Sequence, residues 1–195
     1  MNRPQQSPWA ALLKRRDAIL AGHFQLSSGR HSNAYVQCAR VLEHPEDAAK
    51  LGRALAEAAP GRPEAVVSPA LGGILIGYEV ARALGARFLF TERADGKMTL
   101  RRGFDIGAGT RTLVVEDVLT TGGSSIEVLN VVRAAGGEPV GVMSIIDRGC
   151  DPARLGVPMH SLVSFPLDSW EPASCPLCAQ GLPAIKPGSR NLAST

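Results

Sequence analysis

An alternation of short apolar runs with helix-like segments, between residues 65 and 147, is the feature that most constrains the fold. Apolar runs of strand length, each bounded by turn residues, cover 65–68, 87–91, 112–115 and 140–146. Helix-like segments cover 74–84 and the stretch from the glycine turn after 119 to about 135. Strand, helix and strand repeated in this order predict an α/β fold with a parallel central sheet flanked by helices.

The ends of these two helices carry signals of their own. Gly85 follows the first helix and Gly136 follows the second, and glycine readily adopts the left-handed conformation that ends many helices. Ser124 and Glu127 have the spacing of a capping box. We therefore expect that pair at the start of the second helix.

The chain length favours one domain, because 195 residues suffice for one well-buried core and leave little for a second. We expect a single domain over 1–195 in three parts. Residues 1–60, approximately, hold helical segments at 9–20 and 45–59 joined by an extended polar piece, and form an N-terminal flank over the sheet edge. Residues 61–165 form the core, and 166–195, rich in Pro, Ser and Gly, form an irregular surface tail.

Charge and hydropathy exclude some classes of protein. The formal net charge of +3 is too small to require nucleic acid as a partner, although it suits an enzyme with anionic substrates. No apolar run has the length of a membrane span, and the N-terminus lacks the basic-then-apolar order of a signal peptide. We therefore expect neither nucleic acid nor membrane as partner, and the cytoplasm as the compartment.

Of the four cysteines, only Cys175 and Cys178 have a suggestive spacing. That pair offers two thiolates, whereas a structural zinc ion needs four ligands, and His160 has no motif-like spacing from the pair. We therefore expect the cysteines to be thiols, and a zinc site that includes the pair is the less favoured alternative. No physical role for the pair or for the tail follows from the sequence.

The segment 114–125 carries the strongest chemical signal: a buried strand leads into two acids and then a small-residue loop that opens a helix. The loop residues are Thr120, Thr121, Gly122, Gly123 and Ser124. Free backbone N–H groups and the helix dipole make such a helix start suitable for a phosphate. Glycines allow close approach, and hydroxyls donate further hydrogen bonds.

Glu116 and Asp117 precede this loop and cannot themselves bind phosphate, since like charges repel. Carboxylates do accept hydrogen bonds from sugar hydroxyls, so the acids and the loop together describe a ribose 5-phosphate site. In the alternative interpretation, Glu-Asp ends a strand and Thr-Thr-Gly-Gly turns into a helix, as in many α/β loops with no such ligand.

The segment 114–125 resembles the PRPP-binding signature of type I phosphoribosyltransferases. The resemblance implies that fold, with PRPP bound by Glu116, Asp117, Val118, Leu119, Thr120, Thr121, Gly122, Gly123 and Ser124. It assigns Glu116 and Asp117 to catalysis by holding the ribose hydroxyls and offsetting a cationic ring. It also implies Mg²⁺ as cofactor, held mainly by PRPP, with no protein side chain assigned as a metal ligand.

The stretch 24–32, Phe-Gln-Leu-Ser-Ser-Gly-Arg-His-Ser, resembles a segment of orotate phosphoribosyltransferases. That family converts orotate and PRPP to orotidine 5'-monophosphate and pyrophosphate, a step of pyrimidine synthesis. The resemblance implies orotate contacts from Tyr35, Thr120 and Arg148. On residue type alone, Tyr35 equally suits a hairpin edge, and Arg148 suits an exposed surface position.

The polar stretch 91–103 resembles the mobile catalytic loop of the same family. The resemblance implies that Arg93 and Lys97 bind the pyrophosphate end of PRPP, with Lys97 the catalytic lysine. It also implies a homodimer in which residues 92–103 reach the neighbouring active site. The alternative is a solvated basic hairpin.

The resemblance places a pyrophosphate loop at 68–73 and is imperfect at two positions. Ser27 and Gly72 stand where lysines are expected from the family. These departures weaken what can be inferred about those two residues.

Other functions stay open at this stage. A transferase acting on a purine or another base would share the segment 114–125, and the stretch 24–32 argues against it. A PRPP-responsive regulator would need a basic face or a nucleic-acid-binding module, and neither is evident. A dinucleotide-binding site is disfavoured, because no register of Gly72, Gly73 and Gly77 gives G-x-G-x-x-G.

Overall fold

The computed structural model describes residues 7–26 and 28–187. Its strands are β1 (Ile19–Gln25), β2 (His31–Val36), β3 (Ala65–Pro69), β4 (Arg87–Ala94), β5 (Lys97–Leu100), β6 (Arg111–Leu119), β7 (Glu138–Asp147), β8 (Met159–Ser164) and β9 (Ser169–Trp170). Six of them form a central sheet in the order β5-β4-β3-β6-β7-β8. Neighbouring strands are parallel except β4 and β5, which form an antiparallel hairpin at one edge. The predicted parallel sheet is confirmed.

The helices cover both faces of this sheet. They are α1 (Pro8–Arg15), α2 (Ala39–Leu42), α3 (Pro45–Glu57), α4 (Gly72–Leu84), α5 (Gly123–Ala134) and α6 (Pro176–Ala179). One core cluster joins α1, α3 and α4 to the sheet and includes Leu13, Leu51 and Val80. The other lies under α5 and includes Leu129. The alternating segments seen in the sequence therefore form an α/β layer structure.

β6 shows why the core strands are apolar along their length. Leu113 and Val115 belong to the first core cluster, whereas Val114 between them belongs to the second. Successive side chains of a strand point to opposite faces, so a strand covered by helices on both faces has no polar face to present.

The order of strands creates a switch point between β3 and β6. From β3 the chain passes through α4 to β4 on one side, and from β6 it passes through α5 to β7 on the other. Ligands of open α/β sheets bind outside the carboxyl ends of the strands at such a point. We call the space between the carboxyl ends of β3 and β6 the crevice.

A second, antiparallel sheet has the order β1-β2-β9. The β1–β2 hairpin is irregular between Ala21 and Phe24, and β9 pairs with β2 through His31 and Ser32. This sheet joins the N-terminal hairpin to the C-terminal tail. We refer to it as the hairpin sheet.

The first predicted helix is only half right, because α1 ends at Arg15 rather than continuing to residue 20. Asp17 adopts a positive φ of 51°, and the N–H of Ala18 donates to the carbonyl of Leu13 over 2.9 Å. This is the hydrogen bond of a Schellman-type helix end. An aspartate in the left-handed position gave no clear stop signal. The predicted helix at 45–59 is confirmed as α3.

The capping-box prediction is wrong. The N-cap of α5 is Gly122, two residues before Ser124, and glycine has no side chain with which to cap the helix. Glu127 binds Arg93 of the β4–β5 hairpin instead of reaching back to the helix start. By contrast, Gly85 does end α4, with a φ of 66°.

The C-terminal part of the chain, from β8 onward, contains more regular structure than predicted. The strand β8 was missed, although it lies parallel to β7. Beyond residue 166 the chain is largely irregular, as expected, but it includes β9 and α6. Among residues 7–26 and 28–187, no helix has the length and apolar character needed to cross a membrane.

Candidate active site

The phosphate loop joins β6 to α5 at the edge of the crevice. The N–H of Ile126 donates to the carbonyl of Gly122 over 2.9 Å, which closes the first turn of α5. The preceding amides of the first turn have no intrahelical acceptor, as at any helix start. The N-cap Gly122 has no side chain that could cap this end, so these amides are available to an anion, and the helix dipole favours one there.

Gly122 is required by the backbone and by its neighbours. Its φ is 75°, and a Cβ at this position would lie 2.9 Å from Sγ of Cys150 and 3.1 Å from Cδ2 of Leu155. Arg154 also donates from Nη1 to the carbonyl of Thr121 over 2.8 Å. The segment after β7 therefore fixes the position of the phosphate loop.

The other residues predicted to contact PRPP differ in how exposed their side chains are. Thr120, Thr121 and Gly123 are exposed, and Ser124 is half-buried. Leu119 is fully buried and belongs to a core cluster, and Val118 packs against the other cluster. Any contact of Leu119 with PRPP would therefore involve the backbone, whereas Val118 is only partly buried.

Glu116 lies on β6 under the start of α5. Ser125 donates a hydrogen bond to its Oε2 over 2.5 Å. Burial raises the pKa of Glu116 from 4.5 to about 7, the hydrogen bond from Ser125 opposes that shift, and the charge of Asp117 adds to it. A carboxyl group with this pKa is poised to change its charge near neutral pH.

Asp117 lies next along β6 and faces α4. Its Oδ1 accepts a hydrogen bond from the N–H of Val118 over 3.0 Å. Burial raises the pKa of Asp117, and the backbone hydrogen bond from Val118 opposes the shift. Both acids are thus held in a partly desolvated crevice, where hydrogen-bond donors or positive charge on a ligand would favour their ionised forms.

Gly72, at the start of α4, approaches Asp117 closely. A Cβ at Gly72 would lie 2.7 Å from Oδ1 and 2.8 Å from Oδ2 of Asp117. Any side chain at position 72, a lysine included, would need the carboxylate of Asp117 to move. The structure thus gives a physical reason for the departure from the expected lysine, whereas Ser27, the other departure, lies outside the described residues.

The expected pyrophosphate loop connects β3 to α4 at the other edge of the crevice. A cis peptide bond joins Ala70 and Leu71, and Leu71 is 84% exposed. No side chain of the described residues caps α4. A Cβ at Gly73 would lie 3.0 Å from the carbonyl oxygen of Val115, so this loop packs tightly against β6.

Arg148 and Tyr35, the two predicted base contacts, lie close enough to interact electrostatically. Burial lowers the pKa of Arg148, and Tyr35 opposes that shift. The N–H of Arg148 donates to the carbonyl of Leu119 over 2.8 Å, which ties it to the end of β6. Its Nε is buried, with no hydrogen-bond partner among the described residues. A buried guanidinium N–H without an acceptor is suited to an anionic ligand.

The stretch 91–103 contains a regular hairpin. Asp95 and Gly96 both have positive φ, 51° and 78°, and Ala94 pairs with Lys97. This is the two-residue turn favoured by Asp-Gly. A hairpin was the alternative interpretation of this stretch, and the Asp-Gly dipeptide was its specific sequence signal.

Within one chain the hairpin holds its cations away from the two acids. Arg93 makes hydrogen bonds of 2.9 and 2.7 Å to both carboxylate oxygens of Glu127, and Lys97 is exposed beside α5. Neither cation is among the groups that shift the pKa of Glu116 or Asp117.

Two groups of side chains escaped the sequence reasoning. Ser125, which donates to Glu116, lies within the segment 114–125 but was assigned no role, and Arg154, which positions the phosphate loop, had no motif to mark it. Side chains suited to a metal ion gather away from the crevice: among the described residues His23, His31, Cys175 and Cys178 have ligand atoms within 4.8 Å of one another. We call these four residues the His/Cys cluster.

Comparison with known proteins agrees with this geometry. A model of the phosphoribosyl transferase domain matches residues 38–156. The orotate phosphoribosyltransferase of Desulforamulus reducens is 53% identical over 176 residues, covering 90% of this chain and 92% of that protein. The crystal structure of orotate phosphoribosyltransferase from Aeropyrum pernix has a TM-score of 0.67 at 29% identity and covers 80% of this chain and 92% of that one.

A third relative has been solved with a ligand. The Mycobacterium tuberculosis orotate phosphoribosyltransferase in complex with PRPP has a TM-score of 0.63 at 29% identity, covering 80% of this chain and 95% of that chain. On the match of the domain model and on identity over nearly the whole length, the chain belongs to the orotate phosphoribosyltransferase family.

Proposed function

We propose that this chain transfers the ribose 5-phosphate group of PRPP to orotate, releasing pyrophosphate and forming orotidine 5'-monophosphate. One observation about the site supports this reaction in addition to family membership. Nε of Arg148 is buried and has no hydrogen-bond partner within 7–26 and 28–187. Arg148 lies beside Tyr35, and its backbone N–H binds Leu119 at the end of the strand that carries Glu116 and Asp117 and leads into the phosphate loop. An anion-binding group for the base and a site for a phosphosugar thus belong to one crevice.

The 5-phosphate is assigned to the loop 120–124. Uncapped amides at the start of α5 and the hydroxyls of Thr120, Thr121 and Ser124 supply donors. Arg154 holds the loop through the carbonyl of Thr121 and so positions it.

The two acids are assigned to the ribose. Their raised pKa values mean that burial in the crevice disfavours their charge. Ribose hydroxyls donating to the carboxylates would offset that cost. Positive charge develops on the ribose ring as its bond to pyrophosphate breaks, and two carboxylates stabilise that charge electrostatically. Neither acid acts as a nucleophile in this scheme.

The carboxylate of orotate is assigned to Arg148, because a guanidinium binds a carboxylate through parallel hydrogen bonds. Tyr35 lies against the base, supported by Phe24, whose ring centre is 5.7 Å away. Thr120 completes the set from the phosphate loop. These contacts orient N1 of orotate toward the ribose.

Pyrophosphate is assigned to the β3–α4 loop at 68–73. Relatives in this family generally use Mg²⁺ with PRPP, and the ion would offset the negative charge that builds on pyrophosphate. We assign it chiefly to oxygens of PRPP. Glu116 and Asp117 are carboxylate oxygen donors of the type that Mg²⁺ prefers, so the residues of the crevice fit that ion.

We further infer that Arg93 and Lys97 act in a homodimer, from the hairpin of one chain to the crevice of the other. Their exposure and their separation from the acids of their own chain support this arrangement. Lys97 would neutralise the departing pyrophosphate, and closure of 92–103 would exclude water.

An absorbance assay tests the reaction. Purified chain is mixed with PRPP and Mg²⁺, and each of orotate, uracil, hypoxanthine and adenine is offered in turn. Turnover of orotate alone is expected. Turnover of another base would assign the chain a different base substrate on the same fold. PRPP binding without turnover of any base would contradict the proposed activity.

Mixing two inactive variants tests the dimer. Lys97→Ala and Asp117→Asn are each expected to be inactive, and a mixture that exchanges subunits is expected to regain part of the activity. A mixed dimer can contain one crevice with an intact Asp117 and an intact Lys97 only if Lys97 acts on the partner. A mixture that exchanges subunits and stays inactive would contradict the assignment.

A further inference from the structure

The His/Cys cluster joins three separate elements of the chain. His23 belongs to β1 and His31 to β2, while Cys175 precedes α6 and Cys178 lies within it. His23, His31 and Cys175 are buried, with exposures of 5%, 8% and 3%. Imidazole and thiol groups from positions more than 140 residues apart are therefore brought together in a buried place.

The four ligand atoms lie within 4.8 Å of one another, which is the scale of a small tetrahedral site, and the two nitrogens lie closer together than zinc would hold them. Nε2 of His23 lies 2.9 Å from Nδ1 of His31 and 3.4 Å from Sγ of Cys175. Sγ of Cys178 lies 3.3 Å from Nδ1 of His31 and 3.9 Å from Nε2 of His23. Tetrahedral zinc with ordinary bonds to nitrogen and sulfur separates its ligand atoms by about 3.3 to 3.8 Å.

The tautomer of His23 is set by its second nitrogen. Nδ1 lies 2.8 Å from the carbonyl oxygen of Leu182. Because a carbonyl can only accept, Nδ1 carries the hydrogen and Nε2 presents its lone pair to the cluster. A metal-bound histidine characteristically donates its other ring N–H to a carbonyl or carboxylate in this way. The outer contact that a ligand histidine needs is already in place.

We propose that His23, His31, Cys175 and Cys178 bind a structural zinc ion. Two sulfur and two nitrogen ligands suit zinc and do not suit the oxygen-seeking Mg²⁺ or Ca²⁺. Four protein ligands leave no open position, so the ion is structural rather than catalytic. The site is separate from the crevice and from any Mg²⁺ bound with PRPP.

The ion would fasten the tail to the hairpin sheet. α6 has four residues and could not be stable alone. The N–H of Ile185 donates to the carbonyl of His23, and the N–H of Gln25 donates to the carbonyl of Ile185, each over 2.8 Å. The same hairpin carries Tyr35 on β2. Zinc at this place would stabilise the hairpin that supports the proposed base contact.

The spacing of the cysteine pair and of His160 does not point to this site, because neither lies near the two histidine ligands in the sequence. His23 and His31 are eight residues apart, and only the pairing of β1 with β2 brings them to the same place. The two missing ligands thus come from the opposite end of the chain.

Metal analysis of the full-length chain, purified without a histidine tag and under reducing conditions, tests the proposal. We expect about one zinc ion per chain. After exchange to Co²⁺, we expect the charge-transfer bands of thiolate ligands and the intense visible bands of tetrahedral cobalt. Absence of bound metal after addition of zinc, or a cobalt spectrum without thiolate bands, would overturn the proposal.

Variants assign the ligands. Cys178→Ser changes the exposed member of the cluster and is expected to weaken zinc binding and alter the cobalt spectrum, and Cys178→His is expected to restore binding with a changed spectrum. His160→Ala, at an exposed histidine outside the cluster, is the matched control and is expected to bind zinc as the parent does. Equal zinc binding by Cys178→Ser and the control, or a Cys175–Cys178 disulfide found by mass spectrometry in the chain as purified, would count against the site.

A protease measurement adds an independent readout. Removal of zinc by a chelator is expected to expose the tail near α6 to cleavage, and re-addition of zinc is expected to restore protection. Unchanged cleavage after verified metal removal would contradict the fastening role.

Discussion

The crevice and the hairpin sheet are built in opposite ways. Most of the crevice comes from one short stretch, 116–125, in which a strand, a turn and a helix start follow one another. The hairpin sheet joins residues near 19–36 to residues near 169–185, so the two ends of the chain meet. A contiguous site leaves a motif in the sequence, whereas a site assembled from distant segments leaves scattered residues with no recognisable spacing.

The two regions also differ in whether their buried polar groups are satisfied by hydrogen bonds. In the crevice, Glu116 and Asp117 have raised pKa values, and Nε of Arg148 has no partner among the described residues. In the hairpin sheet, Ser32 donates to the carbonyl of Asp168 over 2.8 Å, and Arg30 donates to the carbonyl of Ser169 over 2.6 Å. Unsatisfied groups are typical of a ligand site, and satisfied ones of a structural connection.

The largest expected effect concerns the pH dependence of stability at Glu116. Its folded pKa of about 7 exceeds the ordinary 4.5. This group therefore favours the folded state fully below about pH 4.5, and the contribution is lost as pH rises through 7. Glu116→Gln should raise the free energy of unfolding at pH 8 by about 3 kcal/mol relative to the parent and by little at pH 4.5, with loss of activity.

Denaturant titrations at several pH values measure this difference. Ser125→Ala removes the hydrogen bond that lowers the pKa of Glu116 and should move the transition to higher pH. A difference between Glu116→Gln and the parent that is constant with pH would show that Glu116 is not held in the crevice as described.

A second prediction concerns Gly122. Gly122→Ala should reduce kcat/KM by about 100-fold, because its Cβ would displace the phosphate loop against Cys150 and Leu155. Gly85→Ala is the matched control, since Gly85 also has a positive φ but has open space around its Cβ. It should lose about 1 kcal/mol of stability and keep its activity. If the two variants had similar kcat/KM values, Gly122 would have no specific role in phosphate binding.

The third prediction concerns Arg148. Arg148→Ala should lower kcat/KM for orotate roughly 10- to 100-fold, as expected for loss of a hydrogen-bonded charge, while PRPP binding is retained. Arg148→Lys should recover little, because an ammonium cannot form the parallel pair. Arg87→Ala, at an exposed arginine, is the control. A loss of PRPP affinity equal to the loss for orotate would contradict a base-specific role.

A smaller effect is expected at Gly72, where a change in the position of the Asp117 carboxylate can be distinguished from a change in protein stability. Gly72→Ala should reduce kcat/KM about tenfold, because the new Cβ would push the carboxylate of Asp117, which lies 2.7 Å away. Stability should stay the same or rise slightly, since alanine favours a helix more than glycine does. Thermal unfolding and steady-state kinetics measure the two quantities, and a stability loss matching the activity loss would argue against a local effect on Asp117.

Much of the core was predictable, because β3, β6 and β7 are apolar runs set by burial on both faces. The end of α1 was not, since Asp17 in a left-handed conformation gives no stop signal. The start of α5 was misplaced because Glu127, a good capping residue by spacing, binds Arg93 from another element. The ion pair of Glu127 and the His/Cys cluster both depend on long-range contacts, and local sequence patterns do not contain them.

The smallest expected effect lies in the hairpin sheet at Arg30, which forms an ion pair with Glu171 and donates to Ser169. The glutamate is 66% exposed, and exposed ion pairs contribute little to stability because water and salt screen them. Arg30→Ala and Glu171→Ala should each lower the free energy of unfolding by about 1 kcal/mol or less, and a double-mutant cycle should give a coupling below 1 kcal/mol. If the zinc site fastens the tail, this pair adds only a minor contribution, and its coupling should fall once zinc is removed, because the tail that carries Glu171 would then be released. A coupling of several kcal/mol in the zinc-loaded chain would instead make the ion pair the main link between the tail and the hairpin. The hairpin sheet would then be held together by electrostatic interaction rather than by a metal ion.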